Sequence, residues 1–384
     1  MPRVAFVTSH PIQYQVPVFQ ELAQMPSLDL TVFFAQIPDH TSQGSGFGVS
    51  FEWDIPLLEG YDFEVLDNRS RQPSVTEFRG CDTPDIGRRL RSGAFDAVVV
   101  NGWVVKTCLQ ALWACRRAGI PCIVRGEAND LRPRAGWKRW LQARLVRQYA
   151  AHLYIGQASR RFYQHRGISD AQLFFAPYCI DNNRFAQSLE WTEDACRDTF
   201  GLPGDETVFM FCGKLEAKKH PTDLIRAAGQ AVSRGAKLRL LIVGDGVLRA
   251  ACEERAREWN VPATFTGFTN QSQIARAYRA SHALVLPSDA GETWGLVVNE
   301  AMACGRPAIV SDRVGCAEDL VAGQNTGCVF PHGDLSALAD VLHHLSQDRD
   351  SLMQMGCMAR ERVQHYSPRQ AAEGIRRAVE FCCG

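Results

Sequence analysis

The stretch "HALVLPSDAGETWGLVVNEAMACGRPAIVSD" (282–312) decides the fold. It starts and ends with short apolar runs, each long enough for one buried strand. The segment between them predicts a helix that has Thr293 as its N-cap and ends at Gly305. A strand, a helix and another strand form a crossover unit, so we expect a parallel sheet with the loop "DAGE" (289–292) at the carboxyl edge.

The same alternation runs through the whole chain. Predicted strands of the first half are "RVAFVT" (3–8), "LDLTVFFA" (28–35), "FDAVVVNG" (95–102), "IPCIVRG" (120–126) and "AHLYIG" (151–156). Those of the second half are "TVFMFCG" (207–213), "KLRLLIVG" (237–244), "ATFTG" (263–267), "HALVLPS" (282–288) and "RPAIVSD" (306–312). Two complete series predict an α/β protein with two doubly wound, Rossmann-like domains.

A proline and an Asp-Asn-Asn cluster in "FFAPYCIDNNRFAQ" (174–187) mark a turn and a hinge between the series. We therefore expect an N-terminal domain over 1–180 and a C-terminal domain over 181–365. Open parallel sheets bind ligands beyond the carboxyl ends of their strands. Two such domains would then face a central cleft that holds the chemistry.

Composition narrows the class of protein. The chain has 384 residues, and Lys plus Arg and Asp plus Glu both total 42, so overall charge gives no general attraction to nucleic acid. The 14 cysteines are scattered and several lie in apolar runs, which favours reduced core thiols. No stretch resembles a signal peptide or approaches the roughly 18 apolar residues of a spanning helix. We expect a cytoplasmic protein that could contact the inner face of a membrane.

Two carboxylates flank the start of the predicted helix. Glu292 precedes it and Glu300 lies two turns inside it, with its side chain leaning towards the helix N-terminus. Free N–H groups at this end form an anion site; they belong to Thr293, Trp294, Gly295 and Leu296. Gly291 and Gly295 let a ligand approach the backbone. Acids beside a phosphate site suggest neutral hydroxyl ligands, although the alternative is that Glu292 only complements the helix dipole and Glu300 is solvated.

This stretch resembles the E-x7-E signature of family 4 retaining glycosyltransferases, also described as group 1, which have the GT-B fold. Further segments follow the family's order: "FCGKLEAKKHPTDLIRA" (211–227), "LLIVGDGVLRAACE" (240–253), "TFTGF" (264–268) and "GCVFPHGD" (327–334). The resemblance implies that Glu300 binds the nucleotide ribose and Glu292 the donor-sugar hydroxyls. N–H groups near Trp294 and Gly295 would meet the diphosphate, and Gly267 and Phe268 would contact the nucleotide.

The family's basic pair falls on Lys214 and Lys219. Two cations neutralise the leaving diphosphate as the glycosidic bond breaks, in place of a metal. The first member is usually Arg, and a lysine cannot form a bidentate fork. The alternative for "KLEAKK" (214–219) is a solvated loop.

Two other motifs compete with this interpretation. Gly244 and Gly246 begin a dinucleotide fingerprint, but the third position is Arg249, so we predict a tight turn on the nucleotide side. The "DRD" at 348–350 matches a metal-binding D-x-D, yet it lies between two predicted helices, where capping is favoured. We therefore expect no metal and no cofactor besides a nucleotide diphosphate sugar as co-substrate.

The acceptor side is less clearly marked. "TSHPIQYQVPVF" (8–19) replaces the family's usual glycine-rich loop and places His10 and Gln13 after the first strand. Asn101 follows a later strand. Many relatives have a histidine at the position of Arg125, and His10, Arg125 or Glu127 could take its role.

The resemblance implies sugar transfer to a hydroxyl with retention, in the synthesis of cell-surface polysaccharide, glycolipid or glycosylated metabolites. The departing phosphate would accept the acceptor's proton. Alternatives are a nucleotide-sugar 2-epimerase, which shares the architecture, and a noncatalytic nucleotide-sugar-binding subunit. The resemblance also implies that the last segment, 366–384, is a helix that crosses back to the N-terminal domain.

A basic segment, "LRPRAGWKRWLQARLVRQYAAH" (131–152), contains two tryptophans and no acid. Such a helix can lie on an anionic membrane, consistent with a lipid-linked acceptor. The alternative is a solvated helix whose Trp and Leu side chains face the core.

Overall fold

The structure is a computed structural model that describes residues 1–38, 52–202 and 204–384. Its contacts divide the chain into two compact units. The described residues of the first unit are 1–38, 56–180 and 367–384, and those of the second are 52–55, 181–202 and 204–366. The chain thus passes from the first unit to the second between Ile180 and Asp181 and returns at Ser367. Residues 39–51, within the range predicted as the N-terminal domain, lie outside the described residues.

The first unit is built on a parallel sheet of seven strands among its described residues, in the order β3-β2-β1-β4-β5-β6-β7. The strands are β1 (Arg3–Thr8), β2 (Asp29–Phe34), β3 (Phe63–Val65), β4 (Ala97–Asn101), β5 (Cys122–Gly126), β6 (Ala151–Tyr154) and β7 (Leu173–Phe175). Its described helices are Val16–Ala23, Ile86–Ser92, Lys106–Ala118, Gly136–Val146, Gln157–Gln164 and Pro368–Cys383. The order reverses between β1 and β4.

The second unit contains a parallel sheet of six described strands, in the order β10-β9-β8-β11-β12-β13. They are β8 (Thr207–Cys212), β9 (Leu238–Val243), β10 (Ala263–Gly267), β11 (Ala283–Leu286), β12 (Ala308–Ser311) and β13 (Gly327–Phe330). Its described helices are Asn182–Ala186, Glu193–Thr199, Pro221–Ser233, Arg249–Glu258, Ile274–Ala280, Leu296–Ala303, Leu335–Gln347 and Arg349–Val363. Here the order reverses between β8 and β11.

All ten strands predicted from the sequence are present, with each end within two residues of its predicted position, and the predicted α/β fold with two Rossmann-like sheets is confirmed. Three strands were not predicted: β3, β7 and β13. Each contains only three or four residues, too few to show a clear apolar run.

Two smaller predictions, on the cysteines and on the "DRD" motif, are also confirmed. All fourteen cysteines are free thiols and most are buried. Asp348 is the N-cap of helix Arg349–Val363 and accepts the Ser351 N–H at 2.9 Å, so the "DRD" motif is a helix cap. A membrane-crossing helix, which needs length and sustained apolarity, is absent from the described residues.

Helix Pro368–Cys383 belongs to the first unit. Ser367 caps its start by accepting the Gln370 N–H. One face packs into the apolar core with strand residues and with helix Val16–Ala23; the buried residues of that face include Ala371, Ile375 and Val379. Gly374 lets the helix approach β7, because a Cβ built there would lie 1.8 Å from the Phe175 carbonyl oxygen.

We predict that Gly374→Ala destabilises the protein, because the added methyl group must displace the helix from β7. Such overpacking typically costs about 1–3 kcal/mol of unfolding free energy. Gly136→Ala is the matched control, since a Cβ at Gly136 meets no atom within 4 Å. Urea denaturation of both variants measures the difference; equal stability of Gly374→Ala and wild type would contradict the close packing.

Candidate functional site: the carboxyl edge of the second sheet

The predicted donor residues of the second unit lie where its strand order reverses. Lys214 and Lys219 follow β8, while Glu292 follows β11, and these two strands are neighbours in the sheet. The backbone joins the loops, because Asp289 donates its N–H to the Lys218 carbonyl at 2.9 Å. A reversal point of this kind opens a crevice for ligands in doubly wound sheets.

Glycines bring the loops at this edge into backbone contact. Gly213 follows β8, Gly244 follows β9 and Gly267 ends β10. A Cβ on Gly244 would lie 2.1 Å from the Gly213 carbonyl oxygen, and Gly244 donates its N–H to Gly267 at 2.8 Å. A side chain is also excluded at Gly246, because a Cβ built there would lie 2.7 Å from the Leu215 carbonyl oxygen. The glycines of the turn at "GDG" (244–246) therefore allow three loops to contact one another.

The prediction of Thr293 as N-cap is wrong. Helix Leu296–Ala303 begins later, and its N-cap is Gly295 in the left-handed region, with φ +97°. A Cβ on Gly295 would also come within 2.9 Å of Leu286 Cδ2. Thr293 and Trp294 lie in bends of the loop before the helix, which the sequence pattern could not distinguish from a first helical turn. The predicted end is confirmed, since Gly305 donates to Met302 with φ +71°.

A second segment, not predicted as part of the site, fixes this loop. Gly315 donates its N–H to the Glu292 carbonyl at 3.1 Å, and Cys316 donates to the Trp294 carbonyl at 2.9 Å. A Cβ on Gly315 would lie 1.8 Å from the Thr293 carbonyl oxygen, so only glycine fits. The signal in the sequence was the glycine in "DRVGC" (312–316), one loop further along the chain.

Glu292 and Lys219 form an ion pair between the two loops. Their side chains are 15% and 12% exposed, so the pair is largely withdrawn from water. Lys219 packs against Gly213, whose missing side chain leaves room for the lysine methylenes. Removing one partner from such a pair leaves an uncompensated charge, which typically costs about 3–5 kcal/mol. The pair therefore holds a carboxylate and a cation side by side at the sheet edge.

Lys214 lies on the same loop and is partly buried. Burial lowers the pKa of its ammonium group, and the nearby charges of Lys218 and Lys219 lower it further, whereas Glu216 raises it. A bound anion would oppose both lowering effects, because a negative charge favours the protonated lysine. An anionic ligand would therefore be favoured beside Lys214, and its role in binding the diphosphate stays a prediction.

Glu300 is held by a partner from another helix. Tyr278, in helix Ile274–Ala280, donates its hydroxyl to Glu300 Oε2 at 2.6 Å. Burial raises the pKa of Glu300, while the Tyr278 hydrogen bond and the charges of Arg184 and Lys219 lower it. The Glu300 carboxylate is thus engaged within the chain, although the residue is partly exposed. No sequence signal points to Tyr278, since a helical tyrosine has many ordinary packing roles.

The Trp294 side chain faces the interior of the second unit. It is 3% exposed, its Nε1–H donates to Asn299 Oδ1 at 2.9 Å, and its ring packs against Tyr366 at a centroid distance of 5.7 Å. Any contact of Trp294 with a ligand is therefore made through its backbone. Gly291 lies just before, with its N–H donated to Asp289 Oδ1 at 2.6 Å. The Gly291 backbone, which we expected a ligand to approach, therefore already uses its N–H in a turn within the loop.

In the first unit, the predicted acceptor residues also lie at the point where the strand order reverses. His10 follows β1 and Asn101 ends β4, its neighbour. His10 is partly buried, with Nδ1 2.8 Å from the Ser9 hydroxyl, and burial lowers its pKa to about 4. Its imidazole is therefore neutral at pH 7. Gln13 lies in the same loop and is also partly exposed.

Arg125 is turned into the protein. It is 2% exposed, donates to the Pro177 carbonyl at 3.0 Å, and lies 5.0 Å from the centre of the Tyr178 ring. Tyr178 in turn donates its hydroxyl to Glu127. Arg125 thus supports Tyr178 and Glu127, which follows β5 at the sheet edge. Of the three candidates for the family's histidine role, Arg125 fits a supporting position better than direct ligand contact.

The tryptophans of the basic segment (131–152) are exposed to solvent. Trp137 and Trp140 are 65% and 60% exposed, and Leu141 is 55% exposed, on helix Gly136–Val146. The alternative that the Trp and Leu side chains of this helix face the core does not hold for these three. Lys138 lies over the Trp137 ring and Arg144 over the Trp140 ring. The other basic residues of the segment are Arg132, Arg134, Arg139 and Arg147.

The comparisons with known proteins match the segment of the chain that contains these residues. Residues 193–362 match the family model "Glycosyl transferases group 1". This segment is a group 1 glycosyltransferase match. It contains both glutamates and both lysines of the site, and the resemblance predicted from the motifs is confirmed.

The group 1 match is accompanied by individual relatives. The D-inositol 3-phosphate glycosyltransferase of Rhodococcus erythropolis is 32% identical over 191 residues, which are 47% of this chain and 43% of that protein. The sulfoquinovosyl transferase SQD2 of Arabidopsis thaliana is 34% identical over 200 residues, 51% of this chain and 38% of that protein. The matched regions thus span less than half of either relative.

Solved structures support the fold over nearly the whole chain. Anabaena Alr3699/HepE in complex with UDP and glucose matches with a TM-score of 0.74 and 16% identity, covering 99% of this chain and all of that one. At this identity the likeness concerns the fold alone. The GT-B fold predicted with the group 1 resemblance is confirmed.

We predict that His10 makes the protein sensitive to acid. Its folded pKa of about 4 is below the unfolded value of 6.5, so only the unfolded chain takes up a proton between these values and stability falls as pH drops through that window. The His10 contribution lost between pH 7.5 and pH 5 should be about 1–2 kcal/mol.

Urea denaturation at both pH values measures this loss in wild type, His10→Gln and, as control, the exposed His344→Gln. His10→Gln should lose less stability on acidification than either of the others. The same loss in all three proteins would mean that His10 is not withdrawn from water.

Proposed function

We propose that this protein is a retaining, metal-independent glycosyltransferase. It moves a sugar from a nucleotide diphosphate sugar to an acceptor hydroxyl, in the synthesis of cell-surface polysaccharide, glycolipid or glycosylated metabolites. The observation that carries the proposal is the pairing of Glu292 with Lys219 at the reversal point of the second sheet, with Glu300 eight residues away on the adjoining helix. The group 1 match over the same residues supports it.

Each group of the site has a distinct task in this reaction. The ribose hydroxyls donate to Glu300, which Tyr278 keeps oriented. The donor-sugar hydroxyls donate to Glu292, whose charge is balanced by Lys219. The diphosphate accepts from Lys214, Lys219 and the backbone N–H groups that precede helix Leu296–Ala303.

Bond breaking places negative charge on the leaving diphosphate. Lys214 and Lys219 stabilise that charge, because cations fixed in a partly buried site act more strongly than cations in water. Burial lowers the pKa of Lys214 in the free protein, so the arriving phosphate charge strengthens its protonated form. These two ammonium groups supply the positive charge that a metal ion supplies in other transferases.

The reaction breaks the bond between the anomeric carbon and the phosphate oxygen, and forms a bond from that carbon to the acceptor oxygen. The acceptor proton passes to the leaving phosphate oxygen, on the same face of the sugar. Glu292 is already paired with a lysine, which makes it a better holder of hydroxyls than a nucleophile. Retention by this front-face route follows.

Relatives and neighbours support a nucleotide-sugar donor and a polar acceptor. One neighbour was solved with UDP and glucose, which favours a uridine diphosphate sugar as the first donor to test. Relatives named for D-inositol 3-phosphate and for sulfoquinovosyl transfer favour a metabolite or glycolipid product. The neutral His10 imidazole at the edge of the first sheet is suited to hydrogen bonding with the acceptor or the donor sugar.

Two other functions use the same donor site. A nucleotide-sugar 2-epimerase needs acids and bases committed to a sugar carbon, and the acids of the second unit's site are already engaged by Lys219 and Tyr278. A noncatalytic nucleotide-sugar-binding subunit needs only the donor residues. Turnover, and not binding, separates this last case from a transferase.

We predict that one nucleotide family raises the melting temperature of the protein in the presence of EDTA. Thermal shift with UDP, GDP and ADP and their sugars identifies it, since a ligand at 100 times its Kd stabilises by about 2.7 kcal/mol. Glu300→Ala should abolish the shift. Glu292→Gln should keep the nucleotide shift and lower nucleotide release from the stabilising donor, with water as acceptor, by about 100-fold.

The exposed Glu254→Gln is the matched control and should behave as wild type. Near-normal turnover in Glu292→Gln would remove the role assigned to that carboxylate. A shift that appears only with added Mg²⁺ or Mn²⁺ would contradict metal independence. Binding without any turnover would favour the noncatalytic subunit.

The lipid side of the proposal rests on the exposed tryptophans of helix Gly136–Val146. We propose that this helix lies on an anionic bilayer. Trp137 and Trp140 would enter the headgroup region while the surrounding cations meet the lipid charge. A lipid-linked acceptor and a location at the inner face of a membrane are consistent with this arrangement.

Flotation with phosphatidylcholine vesicles, with and without about 30% phosphatidylglycerol, tests the surface. We expect wild type to float only with the anionic vesicles and to be released at high salt. Trp137→Ser with Trp140→Ser should lose flotation, whereas Trp113→Ser should not, although Trp113 is also exposed and lies beside an arginine. Equal flotation of both variants would contradict the membrane role.

A further inference from the structure

A second basic pocket lies at the other edge of the second sheet. His282 immediately precedes β11, and Arg306 precedes β12, so both are at the amino ends of the strands. With Arg197 and Arg349 they line a cavity of about 350 Å³. Because the donor residues follow the carboxyl ends of the strands, this cavity is separate from the site described above.

Arg197 is buried there without a carboxylate bonded to it. It is 6% exposed, and its side chain donates to the Gly204 carbonyl at 3.1 Å and contacts His282. Its Nε is buried and has no hydrogen-bond partner among the residues that the structure describes. Burial lowers the pKa of Arg197, and the charge of Arg349 lowers it further. Buried guanidinium groups normally have an anionic partner, so this one lacks its usual compensation.

His282 shows the same deficit of acceptors. Its Nδ1 lies 2.8 Å from the backbone N–H of Val208, and its Nε2 lies 2.6 Å from Arg197 Nη2. Burial and then the charge of Arg197 lower the pKa of His282 to about 3, so the ring is neutral and carries one proton. A neutral imidazole accepts at only one nitrogen. Whichever tautomer forms, one of the two contacts therefore brings two donors together.

The backbone contact determines where the conflict falls. Val208 N–H is fixed by the β8 strand, so Nδ1 accepts from it and the proton resides on Nε2. Nε2–H and the Arg197 guanidinium then both require an acceptor at the same place. A single oxyanion bound beside both groups would accept from each of them, and would also balance the positive charge.

The other charged residues that line the cavity differ in their partners and in their exposure. Arg306 donates to Glu193 at 2.6 Å, which leaves that acid engaged. Arg349 is exposed, and its partners within the described part of the chain are the neutral Asp205 carbonyl and Thr207 hydroxyl. The two other acids that line the cavity, Asp194 and Asp350, are exposed. The interior is thus basic and the acids stand nearer to water, as in a pocket that admits an anion.

We propose that this cavity binds a phosphate group. The oxyanion accepts from Arg197 and from His282 Nε2–H, and Arg349 closes over it from the exposed side. The cavity volume exceeds that of inorganic phosphate, so the group belongs to a small phosphorylated metabolite. Bound at the amino ends of the strands, this ligand is an effector or a structural anion and takes no part in the sugar transfer proposed above.

Calorimetric titration in chloride buffer of constant ionic strength tests the site, with inorganic phosphate and with glycerol 3-phosphate as probes. We expect saturable binding of both, tighter for glycerol 3-phosphate if the metabolite source is correct. Arg349→Gln should weaken binding at least about tenfold. Arg197→Gln should also weaken binding, and circular dichroism shows whether this variant folds. If it does not fold, Arg349→Gln still tests the proposal, because Arg349 is exposed.

Two controls locate the phosphate. Arg360→Gln changes an exposed arginine further along the same helix and should leave binding unchanged. Lys214→Gln removes a cation from the donor site and should also leave it unchanged. Loss of binding in Lys214→Gln but not in Arg349→Gln would place the phosphate at the donor loop and overturn the proposal, as would the absence of saturable binding in wild type.

Discussion

The close approach of backbone to backbone at the carboxyl edge of the second sheet is the constraint on which the site depends. Gly244, Gly246 and Gly315 each stand where a Cβ would lie within 2.7 Å of a carbonyl oxygen of another loop. Their absence of a side chain lets loops from separate strands share hydrogen bonds. Lys219 and Glu292, which come from different loops, are neighbours only because these loops are pressed together.

The charged side chains at the two edges of this sheet differ in the partners that they have. At the carboxyl edge the charged groups have partners, since Glu292 pairs with Lys219 and Glu300 accepts from Tyr278. At the amino edge Arg197 has only neutral acceptors and a histidine that needs an acceptor of its own. Withdrawing an ion from water is unfavourable unless something compensates it. The first edge is compensated within the chain, whereas the second is completed from outside.

The sequence predicted much of this arrangement because its signals were local. Strands in a parallel sheet are buried on both faces, so ten of them stood out as apolar runs, and loops after such strands fall at one edge. The short strands Phe63–Val65 and Leu173–Phe175 have too few residues for such a signal. The Thr293 cap failed because a polar residue before an apolar run fits both an N-cap and a loop before the helix.

Contacts between segments far apart in the chain could not be predicted from local sequence patterns. Nothing around Tyr278 announces that its hydroxyl meets Glu300, and the inward turn of Arg125 depends on Pro177, far along the chain. Likewise, the spacing of Trp137 and Trp140 is compatible with either a buried or an exposed face. Such residues become informative only when the packing of neighbouring elements is known.

The return of the chain to the first unit has a consequence for the order of folding. Ala371, Ile375 and Val379 fill part of the core that also contains Phe19 and Leu22. During synthesis these last helical residues leave the ribosome after the whole second unit has emerged. The second unit can therefore close its core first, while the unit that was begun earliest keeps an apolar face open to water until the end of the chain arrives.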